Sequence, residues 1–259
     1  MGNFETTTKV GGLRAVDMKF RPIREFEFGE LQFLQSRTRL NTPELGTLVP
    51  ETFRKVSELS NQCVSLFELE LRQLIENIKM MQESEFYFRW VSMYMPLRFL
   101  ESKDVQKYLM DKMDESRVDT NKICFELSPD ILFEGKSIHG TNIEHLRNRG
   151  FHFMLTNFGG MNSPLIRLAY YPVDFVQLSE EMIGYLVDDS RSLAAVESIV
   201  EFASGLGAET IADGVMSAEQ AELLFKAQCR YGSGPLVGKY VASRHLKNKK
   251  EEKQEDKEG

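Results

Sequence analysis

The chain has 259 residues, 42% of them hydrophobic and 27% charged, with a formal net charge of −7. That length buries one substantial core, and α/β barrels of this size form single domains, so one domain is the default. The acidic balance excludes a surface for a nucleic-acid polymer, which needs Lys and Arg clustered on one face.

Residues 1–10 are polar apart from isolated apolar side chains such as Phe4 and Val10. They match neither a secretory signal nor a spanning helix, which implies a soluble, cytoplasmic protein with no membrane segment. Residues 1–17 are expected to form an N-terminal extension. From residue 18, short β-branched or aromatic runs alternate with longer segments of helical period, the pattern of βα units around a parallel sheet. Strands are expected at 18–24 and 30–38, joined by the turn at Glu27 to Glu30, so the chain opens with a hairpin. Phe53, Val56, Cys63, Phe67, Leu71, Leu74 and Ile78 recur at three- and four-residue spacing and mark one apolar stripe of a long amphipathic helix.

Further strands are expected at 87–95, 123–128, 151–156, 173–178, 209–213 and 234–238. Helices at 102–114, 142–149, 192–206 and 218–227 fit between most of them. The aromatics around Trp90 alternate as a strand does, dividing between barrel interior and helix layer. Eight strands interleaved with helices predict an α/β (β/α)8 barrel over residues 18–246. A doubly wound open sheet is the alternative, but no Gly-rich nucleotide fingerprint follows an early strand. Residues 247–259 contain no apolar residue and are read as a disordered charged tail rather than an interaction tail.

Cys63, Cys124 and Cys229 lie far apart, and two sit inside apolar periodic segments, as reduced, buried thiols do. His139, His145, His152 and His245 have no metal-ligand spacing and read as surface residues. The most informative stretch runs from Phe151 to Gly160. A β-rich run there ends in Thr156 and Asn157, where a barrel strand presents ligands. A neutral hydroxyl and a neutral amide cannot balance two divalent cations.

The order and spacing of several short motifs carry a resemblance over roughly residues 18–245. They are Phe20-Arg-Pro-Ile23, Thr42-Pro-Glu-Leu-Gly46, Phe125-Glu-Leu-Ser128, Phe158-Gly159 with Pro172-Val-Asp174, Ile211-Ala-Asp-Gly-Val215 and Tyr231-Gly-Ser-Gly234. In these the chain resembles the EAL-domain family of cyclic-di-GMP phosphodiesterases. The resemblance implies a modified TIM barrel with an antiparallel first strand. It also implies hydrolysis by a water activated between two divalent cations within a ring of carboxylates.

Carried over residue by residue, most of that ring is absent. The signature Glu-Ala-Leu falls on Gln35-Ser36-Arg37, an Asn ligand on Tyr94, and the paired Asp residues on Thr156 and Asn157. The Lys that helps the attacking water falls on Gln177 and a nearby Asp on Ser179, so no general base stands there. A loop-steadying Glu matches Pro129, the Ala-Glu-Gly-Val-Glu run becomes Ala212 to Met216, and the late Gln-Gly-Tyr becomes Ser233-Gly234-Pro235. Glu126 and Asp213 survive as remnants of metal-ligand positions.

Arg39 matches an Arg that contacts a ligand phosphate. It is read either as that contact or, preferably, as an ion-pair partner of Glu126 in the emptied pocket. Arg21, where the family usually carries Gln, adds a second cation near the mouth, though solvent exposure explains it equally well. The segment 159–163 corresponds to one that pairs subunits in the family, with Leu165, Leu168 and Tyr170 as a contact surface for a homodimer. No catalytic residue, metal site or cofactor is expected. The leading reading is a non-catalytic EAL-like regulator that binds a protein partner. The alternative is a metal-independent cyclic-di-GMP receptor using Arg39 and Arg21.

Overall fold

A computed structural model describes residues 9–10, 13–160 and 163–246 of the chain. The charged tail expected at 247–259 therefore lies outside the described residues, as do residues 1–8 and Met161 and Asn162. Eight strands form the barrel: β1 (Val16–Glu25), β2 (Leu31–Thr42), β3 (Trp90–Tyr94), β4 (Ile123–Leu127), β5 (His152–Phe158), β6 (Phe175–Leu178), β7 (Glu209–Ala212) and β8 (Tyr231–Gly232). Neighbours pair in sequence order, and β1 pairs with both β2 and β8, which closes the ring. The strands from β2 to β8 are mutually parallel, whereas β1 runs antiparallel to both of its neighbours. The expected α/β barrel with an antiparallel first strand is the fold. Val16 and Asp17, assigned above to an extension, already belong to β1.

The opening hairpin turns where Gly29 adopts φ +64°, with Gly29 N–H donating to the Glu25 carbonyl at 3.0 Å. β2 continues past the expected end at residue 38 to Thr42 and then pairs with a short strand at Gly46–Leu48. The eighth strand is two residues long and precedes the expected 234–238. Gly234, at φ +140°, ends the extended run, and a Cβ there would lie 2.3 Å from the Val215 nitrogen. The Gly234 carbonyl then accepts from the Val237 and Gly238 N–H groups, so residues 234–238 form a turn.

The apolar stripe from Phe53 to Ile78 spans two helices, α1 (Pro50–Glu58) and α2 (Gln62–Glu83). One continuous helix would hold residues 54 and 70 roughly 24 Å apart at 1.5 Å per residue. Here Arg54 and Glu70 form an ion pair at 2.8 Å, with Glu70 buried, because α1 folds back on α2. Val56 consequently leaves the core and is 64% exposed. The remaining long helices, α3 (Val105–Ser116), α4 (Ser137–Arg147), α5 (Ser190–Gly205) and α6 (Ala218–Lys226), fall close to their expected places. Among the described residues no helix is long and apolar enough to cross a membrane.

Strand alternation sorts the core into two clusters. Outward side chains such as Leu34, Val91, Phe125, Phe153 and Val176 pack with Phe67, Leu71, Leu74 and Ile78 of α2 and their equivalents. The inner cluster takes one residue from each strand: Ile23, Phe33, Trp90, Cys124, Met154, Phe175, Ile211 and Tyr231. Phe33 stacks on Trp90 at 4.0 Å between centroids and meets Phe175 and Tyr231 edge-on. All three cysteines are free and buried.

His139 is fully buried, against the surface reading. It stands in the first turn of α4, where its Nδ1 accepts the Lys136 N–H at 2.9 Å, while Nε2 faces Glu101 at 3.3 Å. Burial lowers its pKa despite Glu101. Leu168, counted above as exposed, is also buried, whereas Leu165 and Tyr170 are exposed.

Removing the inner aromatic should cost the barrel much and the exposed valine little. Phe33→Ala should lower unfolding free energy by about 4 kcal/mol, and Val56→Ser should change it by less than about 0.5 kcal/mol. Urea denaturation of both variants checks this; a comparable loss for Val56→Ser would place that side chain back in the core.

Candidate functional site

Two residues beyond the apolar floor, the same alternation puts a polar layer inside the barrel. From β2 to β8 the step from Phe33, Trp90, Cys124, Met154, Phe175, Ile211 and Tyr231 leads to Gln35, Ser92, Glu126, Thr156, Gln177, Asp213 and Ser233. In the antiparallel β1 the step runs backwards, from Ile23 to Arg21. Most of this layer lines a cavity of about 600 Å³ at the C-terminal ends of the parallel strands, the end at which barrels of this architecture carry their sites.

A directional hydrogen-bond chain crosses the layer. The Arg21 guanidinium donates through Nη2 to Asp213 Oδ1 at 2.5 Å and to Gln35 Oε1 at 2.6 Å, and through Nε to the same Gln35 oxygen at 3.0 Å. Gln35 Nε2 donates in turn to Glu126 Oε1 at 3.0 Å, which also accepts the Ser92 hydroxyl at 2.5 Å. Gln177 Nε2 donates to Gln35 Oε1 at 3.3 Å. Asp213 Oδ1 further accepts the Gly214 N–H at 2.7 Å and the Ser233 hydroxyl at 3.1 Å. Thr156 points its hydroxyl to the Leu127 carbonyl at 3.1 Å. Asn157 sits at the strand tip with φ +53°.

Charge settles on these groups in a consistent way. Burial pushes the Glu126 carboxyl above its ordinary range, and the bonds from Ser92 and Gln35 together with Arg54 and Arg21 offset this only in part. Burial alone would lower the Arg21 guanidinium, but Asp213, Tyr240 and Glu126 more than reverse it. Tyr240 covers Arg21 at 4.9 Å and Arg37 at 5.6 Å from its ring centroid, and burial raises its phenol pKa. At the mouth Arg37 pairs with Glu51 at 2.7 Å. Tyr94 donates its hydroxyl to Glu58 and carries Arg54 over its ring at 4.1 Å. Glu58 is raised by burial and by Asp130.

The expected Arg39–Glu126 ion pair does not form. Arg39 lies four residues past Gln35, roughly 13 Å further along an extended strand, opposite Asp17 in register and off the cavity lining. The cation beside Asp213, joined to Glu126 through Gln35, is Arg21. The sequence reading also counted too few acids, because Glu51, Glu58, Asp130 and Glu180 line the cavity as well. They come from α1 and the loops, where strand-end motifs give no signal. Ser92 and Tyr240 were missed too; the period of two would have found the serine, whereas Tyr240 arrives from a late segment held by Phe20 and Val241.

Despite six carboxylates on the lining, the donor set does not fit paired divalent cations. Among the described residues no three His, Cys, Asp or Glu side chains converge as a metal group. Gln35 and Arg21 stand between Glu126 and Asp213, and both carboxylates already accept hydrogen bonds, Glu126 from Gln35 and Ser92 and Asp213 from Arg21, Ser233 and the Gly214 N–H. Divalent ions of the Mg²⁺ kind need several anionic or neutral oxygens turned toward one point.

The chain is 25% identical over 228 residues to the cyclic di-GMP phosphodiesterase RocR of Pseudomonas aeruginosa, covering 88% of this chain and 58% of that protein. It is 22% identical to the oxygen sensor protein DosP of Escherichia coli, covering 80% of this chain and 26% of that protein. The chain thus spans well under two thirds of the length of these relatives. Among solved structures, the EAL enzyme Bd1971 in its cAMP- and cyclic-di-GMP-bound form superposes with a TM-score of 0.81 at 22% identity, covering 89% of this chain and 63% of that one. At such identity the likeness shows the fold. The family match itself is the EAL domain, and because it runs from residue 12 to residue 240, the chain belongs to the EAL domain family.

Proposed function

We propose that this EAL domain is non-catalytic and works as a regulator by binding a protein partner. The observation that carries the reading is the Arg21 guanidinium lodged between Asp213 and Gln35, inside the cavity that the family resemblance assigns to cations. An arginine is charged at every relevant pH and cannot be exchanged for a metal ion. Gln177 stands in the position of the water-activating Lys and has no usable basicity. Pairing through the face around Leu165 and Tyr170 belongs to the same proposal.

A second reading is a metal-independent cyclic-di-GMP receptor. The relative RocR is a cyclic di-GMP phosphodiesterase, and a cavity of about 600 Å³ with Arg37 and Lys55 on its lining favours it. The resemblance gives Arg39 and Arg21 as phosphate contacts; Arg21 would have to leave Asp213 and Arg39 would have to reach in from outside the lining.

Purified protein supplied with Mn²⁺ should hydrolyse cyclic-di-GMP no faster than buffer, measured by chromatography of the linear product. Product above that background would overturn the non-catalytic reading. Titration calorimetry without divalent ions separates the two binding readings, since absence of heat at high micromolar cyclic-di-GMP rejects the receptor.

A pH-dependent prediction follows from Glu126. Its folded pKa is raised, so the native state holds that proton more tightly than the unfolded chain, and ionisation weakens the fold. The cost is absent below the ordinary carboxylate range and grows as pH rises through the raised value. Glu126→Gln keeps an acceptor for Ser92 and Gln35 and should stabilise the protein by about 1 kcal/mol at neutral pH, with the difference vanishing near pH 4. Thermal unfolding at both pH values reads it; equal gains at both would remove the ionisation as the cause.

A further inference from the structure

We propose that the face built from residues 180–189, 213–222 and Leu236 is the docking surface for the protein partner, and that the partner presents to it an amphipathic helix whose apolar stripe is bordered by lysines and arginines. The inference rests on the protein-binding reading given above and assigns it a place and a chemistry.

After β6 the chain runs through the short helix Glu180–Gly184 to Asp189, which caps α5 by accepting the Arg191 N–H at 2.9 Å. After β7 it runs from Asp213 through Met216 into α6. These two segments touch: Gly214 adopts φ +77°, and a Cβ there would lie 2.4 Å from the Glu180 Cγ. The buried Gln220 carboxamide rivets them together. Its Oε1 accepts the Met216 N–H at 2.8 Å and the Ser217 N–H at 3.3 Å, while its Nε2 donates to the Ile183 carbonyl at 3.1 Å. Leu236 joins through its N–H, which donates to the Val215 carbonyl at 3.0 Å. Ile183 and Leu186 anchor the first segment by burial.

On this fixed backbone Tyr185 and Met216 are each 61% exposed, with Val187 and Leu236 also exposed. The bonds that hold the face use the backbone of these residues and not their side chains. Apolar side chains presented on a pre-ordered backbone are what a partner helix can bury without a large ordering cost.

The surrounding charge selects the partner. The run from 180 to 189 carries Glu180, Glu181, Asp188 and Asp189 and no lysine or arginine, and the run from 213 to 222 carries Asp213, Glu219 and Glu222 and again none. The first cations met along the two runs, Arg191 and Lys226, lie beyond them, and Lys239 follows Leu236; Glu222 pairs with Lys226 at 2.6 Å and Asp213 with Arg21 at 2.5 Å, so the acidic border rests on Glu180, Glu181, Asp188, Asp189 and Glu219. An apolar patch bordered by carboxylates alone in these runs attracts a basic amphipathic helix and repels an acidic one. Glu180 and Asp213 also line the cavity, so a partner docked here sits against the cavity rim.

The test uses the full chain and two synthetic amphipathic helical peptides with the same leucine and phenylalanine stripe, one bordered by lysines and its twin by glutamates. Binding is followed by fluorescence anisotropy. The lysine peptide should bind, more weakly as salt rises, and the glutamate twin should not. The double variant Tyr185→Ser/Met216→Ser should bind the lysine peptide about tenfold more weakly, with thermal unfolding confirming its fold. Equal binding of the two peptides, no binding of either, or wild-type affinity in the double variant would overturn the inference. Loss of binding in Ile166→Ser instead would overturn it in favour of the face around Leu165, leaving the protein-binding reading intact. Hydrolysis of cyclic-di-GMP by the same wild-type preparation strikes the non-catalytic reading alone, so the two failures are distinguishable.

Discussion

The contact between Arg21 and Asp213 sets the electrostatics of the barrel interior. A buried guanidinium cannot shed its proton, so it must be matched by an anion and by acceptors for its remaining N–H groups. Asp213 supplies the anion at 2.5 Å. Gln35 supplies the acceptor, and because its oxygen is thereby turned toward Arg21, its amide nitrogen faces Glu126. A Glu at position 35 could accept from Arg21 but could donate nothing to Glu126, and the layer would hold three carboxylates around one cation. Arg21 and Gln35 are therefore a matched pair of residues, each explaining the other.

That pair stands where it does because β1 is antiparallel. In the seven parallel strands the polar layer stands two positions after the apolar floor. In β1 it stands two positions before, and Ile23 leads to Arg21. The floor beneath excludes water with interlocked aromatic rings around Phe33 and Trp90, which keeps the polar layer at low dielectric and makes each of its bonds matter more.

The barrel, its strand order and the placing of Gln35, Thr156, Asn157 and Gln177 on the cavity lining were legible in the sequence, because a period of two and a fixed motif order report directly on strands and their tips. The Arg39–Glu126 pair was misread because motif alignment says nothing about distance along a strand that overruns the barrel end. The break between α1 and α2 was hidden for a related reason: Val56 and Cys63 are seven residues apart, a separation a continuous helix also satisfies. The Arg54–Glu70 contact across the break and the exposure of Val56 distinguish the two. Glu51, Glu58 and Tyr240 reach the cavity from α1 and a late turn, and tertiary folding alone brings them there. His139 looked like a surface residue because nothing in its spacing betrays that its ring closes a helix end.

The bonding of the cavity also ranks how a ligand could be recognised. An anion that sought Arg21 would have to displace Asp213 and leave that carboxylate beside its Gly214 and Ser233 donors without its cation. The pair is partly buried, with 13% and 23% of the two side chains exposed, so breaking it costs more than separating an exposed pair but less than the about 3–5 kcal/mol of a fully buried one. Arg54 is committed in the same way to the buried Glu70. In the Arg37–Glu51 pair, by contrast, Glu51 is well exposed and Arg37 is 35% exposed, and separating a pair on the surface costs about 0–1 kcal/mol. Any small anion entering the cavity is therefore met first by Arg37 and Lys55 at the mouth rather than by the interior guanidinium. A helix arriving at the proposed face around Tyr185 and Met216 would break none of these bonds.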